Sequence, residues 1–264
     1  MTFIHGTPMN LSPVAMHELS IPVSDLRRLT EEERFTYYLL GHVFNELMCL
    51  QKLVAFALPK HEDTREAVLL PELGQALFLF RLACGKIWEA RLSINELTVS
   101  KTLRDRVLVK MKDGAERLKA VNKAINSAPW LSDLRNSMAF HFPNFLEWRE
   151  LTTPADDWVP DQIFLGTASG NAFYSSANNL AQSWMFGLHG ASDERAAVSP
   201  MIGKMIDLLV LVNSFLEDAL GTMVEHVILS DTPQVRDVGK VKAPHFEQFE
   251  IPFWTAMPPR VESS

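Results

Sequence analysis

The sequence predicts a mostly α protein, an antiparallel helical bundle with one short β-hairpin insertion and irregular termini. Two observations carry this. Apolar residues recur at helical spacing through five long segments, each bounded by proline or by capping residues. One stretch, 162–175, instead holds two short β-prone runs around a glycine-bearing turn.

Residues 1–29 contain Pro8, Pro13 and Pro22 and no sustained periodicity, which predicts an irregular N-terminal arm. Thr30-Glu31-Glu32-Glu33 then offers a hydroxyl and, three residues on, a carboxylate, the pair that caps a helix start reciprocally. Phe35, Leu39, Val43, Leu47, Leu50 and Val54 form the stripe of a helix over 31–58, ended by Pro59. A second helix, 71–97, presents Leu79, Phe80, Ala83, Ile87, Ala90, Ile94 and Leu97. A third, 102–126, buries Val107, Met111, Ala115, Leu118, Val121 and Ile125. Pro129 suits the first turn of a fourth helix over 129–142, which Pro143 stops. After the hairpin, helical sequence resumes over 176–186, and a long apolar helix occupies 201–229. The segment 230–264 is aperiodic but carries Phe246, Phe249, Phe253 and Trp254, so it is expected to be an extended C-terminal tail packed on the body. The expected organisation is an arm (1–29), a helical domain (30–229) and that tail.

Composition narrows the class. Apolar residues make up 47% of 264, which excludes a disordered chain and allows a substantial core. Cys49 and Cys84 cannot build a disulfide framework or a four-ligand zinc site, and they suit a reducing cytoplasm. No basic-then-apolar leader opens the chain, and the most apolar stretch read from the sequence, Leu208 to Val212, is far too short to span a bilayer. The expectation is a cytoplasmic protein with no membrane partner. A net charge of -7 argues against a general nucleic-acid coat. Yet 101–123 holds eight basic and three acidic residues, a local balance of +5. Arg104, Arg106, Lys110 and Lys112 are the candidate RNA-backbone contacts there. A solvated helix face is the plainer account of the same charges.

Arg135-Asn136-Ser137-Met138-Ala139-Phe140-His141 carries the chemistry. Arginine grips phosphate with a fixed charge, and histidine moves protons near neutral pH. An Arg-Asn, four residues and a His inside an all-helical chain resembles the HEPN domain (higher eukaryotes and prokaryotes nucleotide-binding). Members of that family are often RNases of toxin and abortive-infection systems. The chain is about twice the usual domain length. It is similar to the longer abortive-infection type, in which an Asn-x-x-Tyr segment like Asn171-Ala172-Phe173-Tyr174 follows the motif helix. The resemblance implies a homodimer with two motif helices around one cleft, single-stranded RNA as substrate, an antitoxin or defence-system partner, and no metal or cofactor. It also implies roles. His141 would move the proton of the ribose 2′-hydroxyl or of the leaving 5′-oxygen, Arg135 would stabilise the phosphorane charge, and Asn136 would position the phosphate or its partner side chains.

Spacing alone does not unite the pair. Six residues apart on an ideal helix, Arg135 and His141 lie about 120° apart in angle and roughly 9 Å apart in rise. At the expected helix C-terminus, His141 would sit where the exposed carbonyls favour a cation. His42 and Glu46, one turn apart beside Phe35 and Leu53, read first as a satisfied core pair or a polar dimer contact and second as cleft-lining residues. The aromatics Trp130, Phe140, Phe142, Phe145, Trp148 and Trp158 read first as packing and second as base-stacking platforms. No P-loop, dinucleotide fingerprint or nucleophile elbow occurs in the sequence. The competing function is a non-catalytic helical binding or regulatory protein. Exposed, convergent Arg135 and His141 would favour the enzyme, and burial of either in a salt bridge would favour the scaffold.

Overall fold

The computed structural model describes residues 3–4, 7–8, 11–60, 62–99, 101–149, 151–152, 162–168, 170–188, 194–231, 234–245 and 248–256. Helices dominate these residues, as the periodicity predicts. Helix α1 (Val23–Arg28) leads into α2 (Glu31–Ala57). The expected capping box is present: the Thr30 hydroxyl accepts from the Glu33 amide at 3.2 Å, and the Glu33 carboxylate accepts from the Thr30 amide at 2.8 Å. The buried face of α2 is rotated from the expected stripe. Thr36, Leu40, Leu47, Val54 and Ala57 point inward, whereas Phe35 is 58% exposed. Apolar residues surround much of this helix, so periodicity alone allows several overlapping stripes, and packing on the next helix selects one.

That helix, α3 (Glu66–Val99), is the central core element. Phe80, Ala83, Ile87, Ala90, Ile94 and Leu97 are buried as expected, together with Cys84. Burial pushes the Cys84 thiol well above its ordinary pKa. By length and composition alone α3 is long and apolar enough to cross a membrane, and 44% of its most apolar window is buried inside the body. It packs against α2 and two further helices, α5 (Trp130–Leu134) and α8 (Glu194–Met223). It also begins earlier than its proline suggests, with Pro71 inside the helix. Pro71 has no N–H, which leaves the Ala67 carbonyl without its helical donor. The Trp254 indole N–H fills that vacancy at 2.7 Å.

The basic segment does not form one continuous helix. A π-helical turn, Thr102–Leu108, is followed by a reversal in which Asp113 has φ 53°, and only then by α4 (Gly114–Asn126). A Cβ on Gly114 would stand 2.5 Å from the Leu108 carbonyl oxygen, so the chain can double back here only at glycine. Val107, Met111, Val121 and Ile125 still reach the core, Leu118 is half-buried, and Ala115 is exposed. After α5 comes a second π-helical turn, Arg135–Ala139, then α6 (Phe145–Trp148), capped by Asn144.

Three β-pairings occur among the described residues. Two-residue strands β1 (Phe3–Ile4) and β2 (Thr7–Pro8) pair near the start of the chain. Strands β4 (Ile163–Leu165) and β5 (Ala172–Tyr174) form the expected hairpin, with Gly170 at φ +85° in its turn. They lead into α7 (Ser175–Leu188), then α8 and a third π-helical turn, Val224–Ile228. The expectation of irregular termini, with β-structure only near 162–175, is corrected. Strand β3 (Leu11–Leu19) pairs antiparallel with β6 (Val235–Pro244), from Leu11↔Pro244 to Leu19↔Val235. Both faces of this ribbon are largely exposed, so neither strand carries the apolar–polar alternation that marks a half-buried strand.

One apolar cluster joins Leu40 and Leu47 of α2, Phe80 and Ile87 of α3, Leu131 and Leu134 of α5, and Val212 and Phe215 of α8. The final described residues dock on this body. Ile251 donates its amide to the Phe56 carbonyl at 2.8 Å, and the Phe249 and Phe56 rings meet edge-on at 4.6 Å. Trp254→Phe keeps an aromatic ring but strands the Ala67 carbonyl, and it is expected to cost about 0.5–1.5 kcal/mol. Chemical denaturation measures that cost, and an unchanged midpoint would show the bond to be energetically idle.

Candidate functional site

The motif helix crosses α3 at a glycine. A Cβ on Gly85 would stand 2.7 Å from the Ala139 Cβ and 2.9 Å from Phe140 Cε2, so its absence lets the two backbones approach. This contact turns Arg135 toward α3. Its Nε donates to Glu89 Oε1 at 2.6 Å, and its Nη1 donates to the Asn136 side-chain oxygen at 2.8 Å. Asn136 in turn donates to the Ser132 hydroxyl at 3.4 Å. Asn136 therefore links the guanidinium to Ser132 through its side-chain amide.

His141 departs from expectation. The helix ends at Ala139, where i→i+5 winding has already widened the turn, and Phe140 leaves helical geometry with φ −127°. His141 is exposed in the following non-helical segment, with no hydrogen bond or ion pair to a described residue. It lies beyond the final helical turn, and the expected dipole argument does not apply there. No hydrogen bond or ion pair joins Arg135 to His141 within one chain.

His42 and Glu46 are not a core pair. They line a groove of about 190 Å³ with Val43, Lys86, Glu89 and Ser93. His42 Nε2 lies 3.8 Å from Glu46 Oε1, and Lys86 Nζ donates to Glu46 Oε2 at 2.7 Å. Glu89 is thus shared: it lines this groove and holds Arg135. Glu89 and Lys86 were not anticipated from the sequence. Nothing local ties a carboxylate on one helix to an arginine 46 residues later. The Arg135 and Glu89 side chains remain 36% and 38% exposed. An ion pair in such a setting contributes about 0–1 kcal/mol, so a competing phosphate can open it at small cost.

The basic segment is partly committed elsewhere. Arg104 bonds its neighbour Asp105 through two contacts of 2.7 and 3.0 Å, which holds the Asp105 carboxyl below its usual pKa. Arg106 pairs at 2.7 Å with Glu33, whose side chain is only 7% exposed. Lys110 and Lys112 are exposed and make no ion pair among the described residues. Of the aromatics, Trp130 is buried and stacks on Phe80 at 6.1 Å, whereas Phe142 is 99% exposed and Phe140 and Phe145 are also exposed. Trp158 lies outside the described residues. Asn171 is buried and clamps the tail, donating to the Thr255 carbonyl at 2.6 Å and accepting from its amide at 3.2 Å.

A larger groove, about 780 Å³, lies between α2 and the end of α8 with its π-helical turn, lined by Tyr37, Tyr38, His42, Phe44, Leu220 and Val224. Among the described residues no group of three or more His, Cys, Asp or Glu could hold a metal ion. Comparison with protein-family models, with curated proteins and with solved structures finds no match.

Proposed function

We propose that the chain is a HEPN-like endoribonuclease that cleaves single-stranded RNA without a metal, where the motif helix meets the α2–α3 groove. One observation carries this reading: Glu89 joins the Arg135–Asn136 pair and the His42–Glu46 pair at a single surface. The chemistry is transesterification. A histidine takes the 2′-hydroxyl proton as the 2′-oxygen bonds to phosphorus, Arg135 leaves Glu89 to neutralise the phosphorane, and the P–O5′ bond breaks as a protonated histidine gives its proton to the 5′-oxygen, leaving a 2′,3′-cyclic phosphate. His141 is the acid–base residue of the motif, and a twofold mate would bring it to the facing Arg135. Exposed Phe142, Phe145 and Leu146 beside the motif supply apolar area for such a contact. Of the four candidate backbone contacts, Lys110 and Lys112 make no ion pair among the described residues.

The test is incubation with mixed single-stranded RNA in EDTA, with end analysis, alongside light scattering at micromolar concentration. Cyclic phosphate ends and a dimer are expected. Cleavage that requires added magnesium would refute the mechanism, and a strict monomer would remove the composite site. A second reading is a non-catalytic binding or regulatory protein, such as a partner within a toxin–antitoxin or defence system. It is favoured by Glu89 already engaging Arg135, and by the apolar α2–α8 groove being the larger concavity.

A further inference from the structure

The larger groove, between α2 and the end of α8, meets the α2–α3 groove only at His42, and the chemistry proposed above leaves the rest of it unused. One wall is aromatic. Tyr37 and Phe44, seven residues apart, stand in one row of α2, with Tyr38 in the next. Tyr37 and Phe44 are half-buried against the core, which fixes their rings. Tyr38 is 57% exposed, with its ring centroid 5.3 Å from that of Tyr37 and its plane tilted by 52°. Neither tyrosine hydroxyl bonds another described residue. Burial, and then the neighbouring Tyr38, push the Tyr37 phenol above its ordinary pKa, so this wall stays neutral.

The opposite wall brings Gly221, Val224 and Glu225. Gly221 stands inside α8 with nothing within 4 Å of its Cβ position, so no packing contact calls for glycine there. Glycine weakens a helix relative to alanine, and the space it leaves belongs to the groove. Glu225 supplies the one carboxylate among the described lining residues, and no lysine or arginine stands with it. That carboxylate is 68% exposed, makes no hydrogen bond to a described residue and lies 3.8 Å from His226.

Charge and size together select a ligand. The face of an aromatic ring is the negative end of its quadrupole and attracts cations. Ring faces beside a carboxylate, with no fixed positive charge, disfavour phosphate and any anionic strand. A volume of about 780 Å³ falls within the range of roughly 300–1,000 Å³ usual for small-molecule sites and far exceeds a bare ion. We propose that this groove binds a small organic cation, a quaternary or protonated amine with an apolar body. The charge sits between the Tyr37–Tyr38 rings and Glu225, and the body lies against Phe44, Leu220 and Val224. Such binding is independent of RNA cleavage.

Calorimetric titration of the full chain with benzyltrimethylammonium tests it, against neutral benzyl alcohol and anionic benzenesulfonate at equal ionic strength. The cation is expected to fill one saturable site with a Kd on the order of 10⁻⁴–10⁻³ M, as suits a ligand of its size. Both controls are expected to bind about tenfold more weakly or worse. Glu225→Gln and Tyr38→Ala are each expected to weaken the cation by about 2–5-fold. Tyr38→Phe keeps the ring and is expected to bind as wild type does. Gly221→Leu fills the groove and is expected to abolish binding without lowering the Tm. The site is overturned if wild type does not bind the cation, or if either control binds as tightly. It is equally overturned if Gly221→Leu, or both Glu225→Gln and Tyr38→Ala, melt as wild type does and still bind the cation with unchanged Kd.

Discussion

Alanine at His141 is expected to lower RNA cleavage by about 10²–10⁴-fold while the fold is kept, since general acid–base catalysis typically contributes that much. The side chain is exposed and bonds nothing among the described residues, so its removal has no structural route to inactivity. Arg135→Ala is expected to cost on the order of 10²–10³-fold, the usual loss for one preorganised charge donor. Asn136→Ala should cost less than either, because Asn136 acts by holding the guanidinium at 2.8 Å. His42→Ala separates two geometries. If it removes cleavage while His141→Ala does not, the proton moves within the α2–α3 groove and the twofold arrangement is unnecessary. If wild type and His141→Ala release fragments equally and His42→Ala does so too, neither histidine is the catalyst.

What was legible in the sequence follows from the range of the interactions involved. The start of α2 was readable because the Thr30–Glu33 box lies within four residues. The face of α3 was readable because its buried residues recur every three or four positions from Leu77 to Leu97. The break between Leu108 and Gly114 was not. The apolar period continues across it, and only the collision awaiting a Cβ at Gly114 demands the reversal. The β3–β6 ribbon was equally silent, since it pairs residues more than 200 positions apart with both faces in solvent. Within the site, the motif residues could be named individually, because arginine, asparagine and histidine carry their chemistry with them. Their partners could not. Glu89 and Lys86 matter only through a helix crossing, and a crossing is set by which small residue allows close approach.

Gly85 is that residue, and Gly85→Val is expected to destabilise the protein by about 2–3 kcal/mol and to lower RNA cleavage sharply. A new Cβ would fall 2.7 Å from the Ala139 Cβ, which cannot rotate away because it is fixed to the backbone. The Phe140 ring at 2.9 Å can turn, but the two valine γ-carbons add further overlap that side-chain motion alone cannot clear. The motif helix must therefore shift off α3. Glu89 stands one turn beyond Gly85, so the same shift pulls Arg135 from its 2.6 Å contact and from the groove that Glu89 lines. Gly41→Val in α2 is the control. Nothing lies within 4 Å of its Cβ position, and valine there recovers a few tenths of a kcal/mol of helix propensity. Denaturation midpoints of the two variants are expected to move in opposite directions. If Gly85→Val unfolds at the same denaturant concentration as Gly41→Val and cleaves RNA as fast, the close approach at Gly85 is not what seats the motif.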